Sequence, residues 1–92
     1  MALLDTTEVD SALQHLGWEV GDDQQLLKIV TRDDFVEAME FVNEVAGLAE
    51  AANHHPDIDI RWNTVTLRLS THSAGGITAK DIDLASQIDG LG

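Results

Sequence analysis

The chain has 92 residues, with 5 Lys+Arg against 17 Asp+Glu, a formal charge of −12 and no cysteine. That charge argues against nucleic acid or an anionic membrane as partner, since both need clustered basic residues, and the missing thiols exclude a disulfide scaffold, a thiolate metal site and a Cys nucleophile. A hydrophobic fraction of 43% is too high for a disordered acidic tail, no apolar run nears the ~18 residues of a membrane span, and a start that reaches acid at Asp5 with no basic residue before it does not read as a signal peptide.

The expectation is one cytoplasmic domain over residues 1–92, with a core small enough to favour oligomerisation. Asp5-Thr6-Thr7-Glu8 is an acidic helix start, followed at helical spacing by Val9, Ala12, Leu13 and Leu16, with Gly17 as a C′ stop. Trp18–Val20 and Leu26–Val30 flank the turn-rich Gly21-Asp22-Asp23 and read as a hairpin. Thr31-Arg32-Asp33-Asp34 resembles a capping box, and Phe35, Met39, Val42, Val45 and Ala49 form the stripe of a long helix. Asn53 and Pro56 end that helix, because proline disfavours α geometry in the residue before it. Ile58, Ile60 and Trp62 alternate with Asp57, Asp59 and Arg61, and Val65, Leu67 and Leu69 alternate with Thr64, Thr66 and Arg68. These are two strands joined at Asn63. Thr78-Ala79-Lys80-Asp81 is a further capping box, and Ile82, Leu84, Ala85 and Ile88 complete a last amphipathic helix. The order αββαββα predicts an α+β fold: a four-stranded antiparallel sheet with three helices on one face.

Three histidines, His54, His55 and His72, fall within nineteen positions. Glu50 precedes His54 by four residues, which puts both on one side of the helix end if the helix reaches that far. Read as the end of the fourth strand, His72 shares the polar face with Arg68 and Ser70. The turn after the long helix and the end of that strand can then meet at one rim. Imidazoles gathered there donate and accept protons near neutral pH. A polar loop is the plain alternative for His-His-Pro. A zinc site from His54, His55, His72 and Glu50 is disfavoured because adjacent histidines rarely point at one ion and no HExxH-type spacing is present. Asp81 reads first as a capping residue, and Trp18 and Trp62 as core.

The pattern Glu50-x3-His54-His55-Pro56, then Trp62, His72 and Asp81 at set spacings, resembles the signature of the pterin-4a-carbinolamine dehydratases, bacterial type. Leu16-Gly17-Trp18, Leu69-Ser70-Thr71-His72 and Asp81-Ile82-Asp83-Leu84-Ala85 extend the resemblance over essentially the whole chain. It implies the same α+β fold and homodimers or homotetramers. The implied reaction is loss of water from a 4a-hydroxytetrahydropterin to give quinonoid dihydropterin, in tetrahydrobiopterin recycling, with no metal or organic cofactor. It also implies His54 and His72 as the acid/base pair, assisted by Glu50. His55, Asn53, Trp18, Ser70 and Thr71 would contact substrate, and Pro56, Trp62 and Asp81 would support the site. Asn53 stands where animal members carry Asp, and Trp62 where Tyr is commoner. Competing readings are a non-catalytic dimerisation or assembly module on the same fold, and a pterin-binding protein serving another pathway.

Overall fold

The computed structural model describes residues 2–21 and 23–91. Helix α1 (Thr6–Leu13) opens with a reciprocal cap. The Asp5 carboxylate accepts from the Glu8 N–H at 2.8 Å, and Glu8 accepts from the Asp5 N–H at 3.0 Å. The helix ends at Leu13 with Gln14 as C-cap, so Gly17 is not its stop. Gly17 instead donates its N–H to Asp89 Oδ2 at 2.7 Å. Strands β1 (Glu19–Val20) and β2 (Leu26–Thr31) pair antiparallel, as the hairpin reading requires. Asp22, in the middle of the expected turn, lies outside the described residues.

Helix α2 (Phe35–Ala52) starts later than the Thr31 cap reading places it. Thr31 is the last residue of β2 and pairs with Thr64, so it has no freedom to cap. Asp34 takes that role, its carboxylate accepting from the Glu37 N–H at 2.9 Å. The buried stripe is also rotated from the expected one. Ala38, Phe41, Val45 and Ala49 face the core, whereas Phe35 is 48% exposed. The segment carries apolar residues nearly all round, so sequence periodicity permits either stripe, and packing against the sheet selects the one containing Phe41.

Strands β3 (Asp57–Arg61) and β4 (Thr64–Leu69) form the second hairpin, turning at Trp62 and Asn63, with Trp62 at φ 50°. Helix α3 (Ala79–Asp89) begins at the expected cap: Thr78 and Asp81 bond reciprocally. The strand order is β1-β2-β4-β3, antiparallel throughout. Alternation along β4 buries Val65, Leu67 and Leu69 completely, and the helices close over that face through Val9, Phe41, Val45, Leu84 and Ile88. No helix among the described residues is long and apolar enough to cross a membrane.

Candidate active site

The β3–β4 register pairs Asp57 with Arg68, so the start of β3 lies beside the end of β4. His54 and His55 immediately precede β3, and His72 follows β4. The topology therefore brings both histidine segments to one rim of the sheet. His72 does not end the strand, however. β4 stops at Leu69, Thr71 makes an isolated bridge to Gly76, and His72 is exposed in the tight loop between them. Gly75, at φ 79°, gives that loop its left-handed turn.

The exit of α2 sets the His54–His55 geometry. Asn53 adopts a left-handed conformation (φ 49°, ψ 43°). Its N–H reaches Glu50 O at 3.2 Å and the His54 N–H reaches Ala49 O at 3.1 Å, a Schellman closure. Asn tolerates this backbone better than most residues. The turn carries His54 out of helical register, so Glu50 does not meet His54. Glu50 Oε2 instead accepts from His55 Nε2 at 2.5 Å, an exposed pair.

His54 turns inward. Its Nε2 lies 2.5 Å from Asp81 Oδ1, with the imidazole 12% exposed and Asp81 fully buried. An ionised carboxylate has no proton to give, so the imidazole donates. Asp81 Oδ2 accepts from the Thr78 N–H and from Thr71 Oγ1, both at 2.9 Å. One carboxylate thus ties together the exit of α2, the loop after β4 and the start of α3. Sequence reasoning finds Asp81 as a cap but not as the partner of His54, which lies 27 residues away.

The other expected site residues are placed as follows. Thr71 is buried, with its hydroxyl bonded to Asp81 and Thr78. Ser70 is half-buried beside it, and Pro56 holds the extended entry into β3. Trp62 is 65% exposed at the opposite end of the β3–β4 hairpin, neither core nor a support for the histidines within this chain. Trp18 is buried, and its Nε1 donates to Asp89 Oδ1 at 2.9 Å. Asp89 sits eight residues after Asp81 on α3, about 12 Å along the helix. The indole nitrogen is therefore anchored at the far end of α3 from the His54–Asp81 pair. Burial alone would push the Asp89 carboxyl up. The Gly17 N–H, the Lys28 ammonium and the Trp18 N–H outweigh it and hold the group below the usual carboxylate range. A cleft of about 430 Å³, lined by Leu4, Val9, Val20, Gly75 and Ile77 among others, adjoins the His72 loop without including an imidazole. No group of three or more His, Asp or Glu among the described residues is arranged to hold a metal ion. The two neighbouring imidazoles engage different carboxylates.

The family model for Pterin 4 alpha carbinolamine dehydratase matches residues 2–91. The chain belongs to this family. A Roseiflexus castenholzii protein named "Putative pterin-4-alpha-carbinolamine dehydratase" is 54% identical over 89 residues, covering 96% of this chain and 95% of its own. One of the same name from Nocardia farcinica is 51% identical over 89 residues, covering 97% and 94%. Among solved structures, a transcriptional coactivator/pterin dehydratase from Brucella melitensis superposes with a TM-score of 0.92 at 32% identity, covering 97% of each chain. A pterin dehydratase-like protein described as a RuBisCO assembly factor of the alpha-carboxysome shares the fold. Its TM-score is 0.68 at 22% identity, with 84% of this chain and 90% of that one covered.

Proposed function

We propose that residues 1–92 act as one domain that dehydrates a 4a-hydroxytetrahydropterin to quinonoid dihydropterin by imidazole acid/base catalysis, as a cytoplasmic step of tetrahydrobiopterin recycling. The observation that carries this reading is the buried His54–Asp81 pair in a member of the dehydratase family. Asp81 holds Nε2, so His54 works through Nδ1. That nitrogen has no bonded partner among the described residues and is not a buried orphan. In the reaction the N5–H and C4a–O bonds break, the N5 electron pair forms the C4a=N5 double bond, and the protonated hydroxyl leaves as water. One imidazole takes the N5 proton and another protonates the hydroxyl, the work assigned to His54 and His72. His55, oriented by Glu50, holds the pterin. Positioned proton transfer of this kind contributes ~10²–10⁴ in rate.

The substrate is unstable, so the test generates 4a-hydroxytetrahydropterin in situ and follows quinonoid dihydropterin formation with and without the purified chain, and with EDTA. Acceleration that survives chelation supports the proposal. Loss of activity on chelation, restored by zinc, would replace it with metal chemistry. A folded but inactive chain would favour a non-catalytic use of the fold. At least a dimer is part of the same proposal. β3 is a sheet edge with Ile58 38% exposed, and light scattering at 10.0 kDa would refute it.

A further inference from the structure

We infer that Thr71 is a positioning residue: through a one-directional hydrogen-bond chain it orients Asp81, and so places His54 with its Nδ1 free to accept a proton. The inference stands on the proton count. Thr71 Oγ1 has one proton and lies 2.9 Å from Asp81 Oδ2 and 2.7 Å from Thr78 Oγ1. A carboxylate only accepts, so the Thr71 proton goes to Asp81, and Thr78 must donate its own proton to Thr71. Thr78 Oγ1 in turn accepts from the Lys80 N–H at 3.3 Å. Every hydroxyl in the chain then has a fixed direction, from the first turn of α3 to Asp81.

Both threonines and Asp81 are buried, so water cannot replace a missing member. Oδ2 is saturated by Thr71 and the Thr78 N–H, which leaves Oδ1 as the face offered to His54. An acceptor at Oδ1 holds the neutral imidazole in its Nε2–H form, with the Nδ1 lone pair free. Without Thr71, Asp81 keeps only the Thr78 N–H on Oδ2 and the carboxylate can rotate; either oxygen still only accepts, so the tautomer stays while the imidazole loses its fixed position. Thr71 also immediately precedes His72, so the same side chain anchors the base of the loop that carries the second imidazole. Spacing alone does not separate this role from substrate contact, because the partners lie at the start of α3.

The kinetic arm rests on the dehydratase reading, but the tautomer arm does not. Nitrogen NMR of the His54 ring, at a pH where imidazole is neutral, should show the proton on Nε2 in the unmodified chain. A proton on Nδ1, or an even mixture, would overturn the inference without any variant and whatever the activity. Thr71→Val keeps the shape and removes the hydroxyl. It should leave the His54 tautomer unchanged, because the carboxylate still accepts, and lower kcat about tenfold, the worth of one hydrogen bond, with KM unchanged. Thr71→Ser should restore kcat. A raised KM with unchanged kcat would return Thr71 to substrate binding and refute the positioning role.

Discussion

Replacing Asp81 by Asn separates its chemical role from its structural one. The side chain is fully buried and accepts from His54 Nε2, Thr71 Oγ1 and the Thr78 N–H. Asp81→Ala would remove half of a capping box, about 0.5–2 kcal/mol, and leave two buried donors unpaired at about 1–3 kcal/mol each. Together these approach the whole stability of a domain this size, ~5–15 kcal/mol, so the Ala variant reports mainly on folding. Asn keeps the volume. Its carbonyl oxygen can take the Oδ2 position and still accept from Thr71 and Thr78, which costs about 1 kcal/mol. Its amide then points N–H at His54 Nε2. Two donors cannot face each other, so the imidazole must move its proton to Nδ1 and accept at Nε2. That reverses the tautomer and removes the free lone pair at Nδ1. Reversal of this kind in a carboxylate-held histidine costs up to ~10⁴ in kcat. The expected outcome is a urea midpoint near that of the unmodified chain and a kcat lower by ~10²–10⁴ in the dehydration assay. A folded Asp81→Asn protein with unchanged kcat would refute the claim that Asp81 controls His54.

His55→Ala should raise KM more than it lowers kcat, because its pairing with Glu50 leaves it exposed as a holding group; a fall in kcat alone in steady-state assays would contradict that assignment. Phe41→Ala should cost about 3–5 kcal/mol, whereas Phe35→Ala, at a half-exposed position, should cost well under 1 kcal/mol; equal costs in urea unfolding would contradict the observed stripe. Asp89 has a depressed carboxyl, so its contribution to stability is present above the unfolded-state value near 4 and is lost as pH falls through the folded value. Asp89→Asn should therefore be less stable by about 1–3 kcal/mol at neutral pH, with the gap closing in acid; a gap that persists or widens in thermal scans at low pH would refute the account.

The parts of this fold legible in the sequence are those written within a few residues. Asp5 with Glu8 and Thr78 with Asp81 are local caps, and the alternation of Val65, Leu67 and Leu69 needs no long-range information. Where the local pattern is degenerate, tertiary contacts decide. α2 offers two apolar stripes, and only contact with the sheet chooses Phe41 over Phe35. Thr31 looked like a cap until its pairing with Thr64 held it in a strand. At the candidate site, the signature singles out histidines and acids but not their partners. The Glu50–His54 spacing suggested a helical pair, and the left-handed Asn53 broke it. The Asp81–His54 bond spans 27 positions, and no rule of spacing reaches that far. Trp18 shows the same limit, because its partner Asp89 lies 71 residues on.

The most direct test of the central claim is the rate of quinonoid dihydropterin formation from 4a-hydroxytetrahydropterin with the His54→Ala/His72→Ala double variant, beside the unmodified chain. His72 is exposed, whereas His54 is 12% exposed and bonded to the buried Asp81, so its loss lowers stability and circular dichroism must show the double variant folded before its rate is read. The account predicts that the unmodified chain accelerates the reaction and that the double variant falls to near the uncatalysed rate. A folded double variant that retains the full kcat would contradict imidazole acid/base catalysis at this rim.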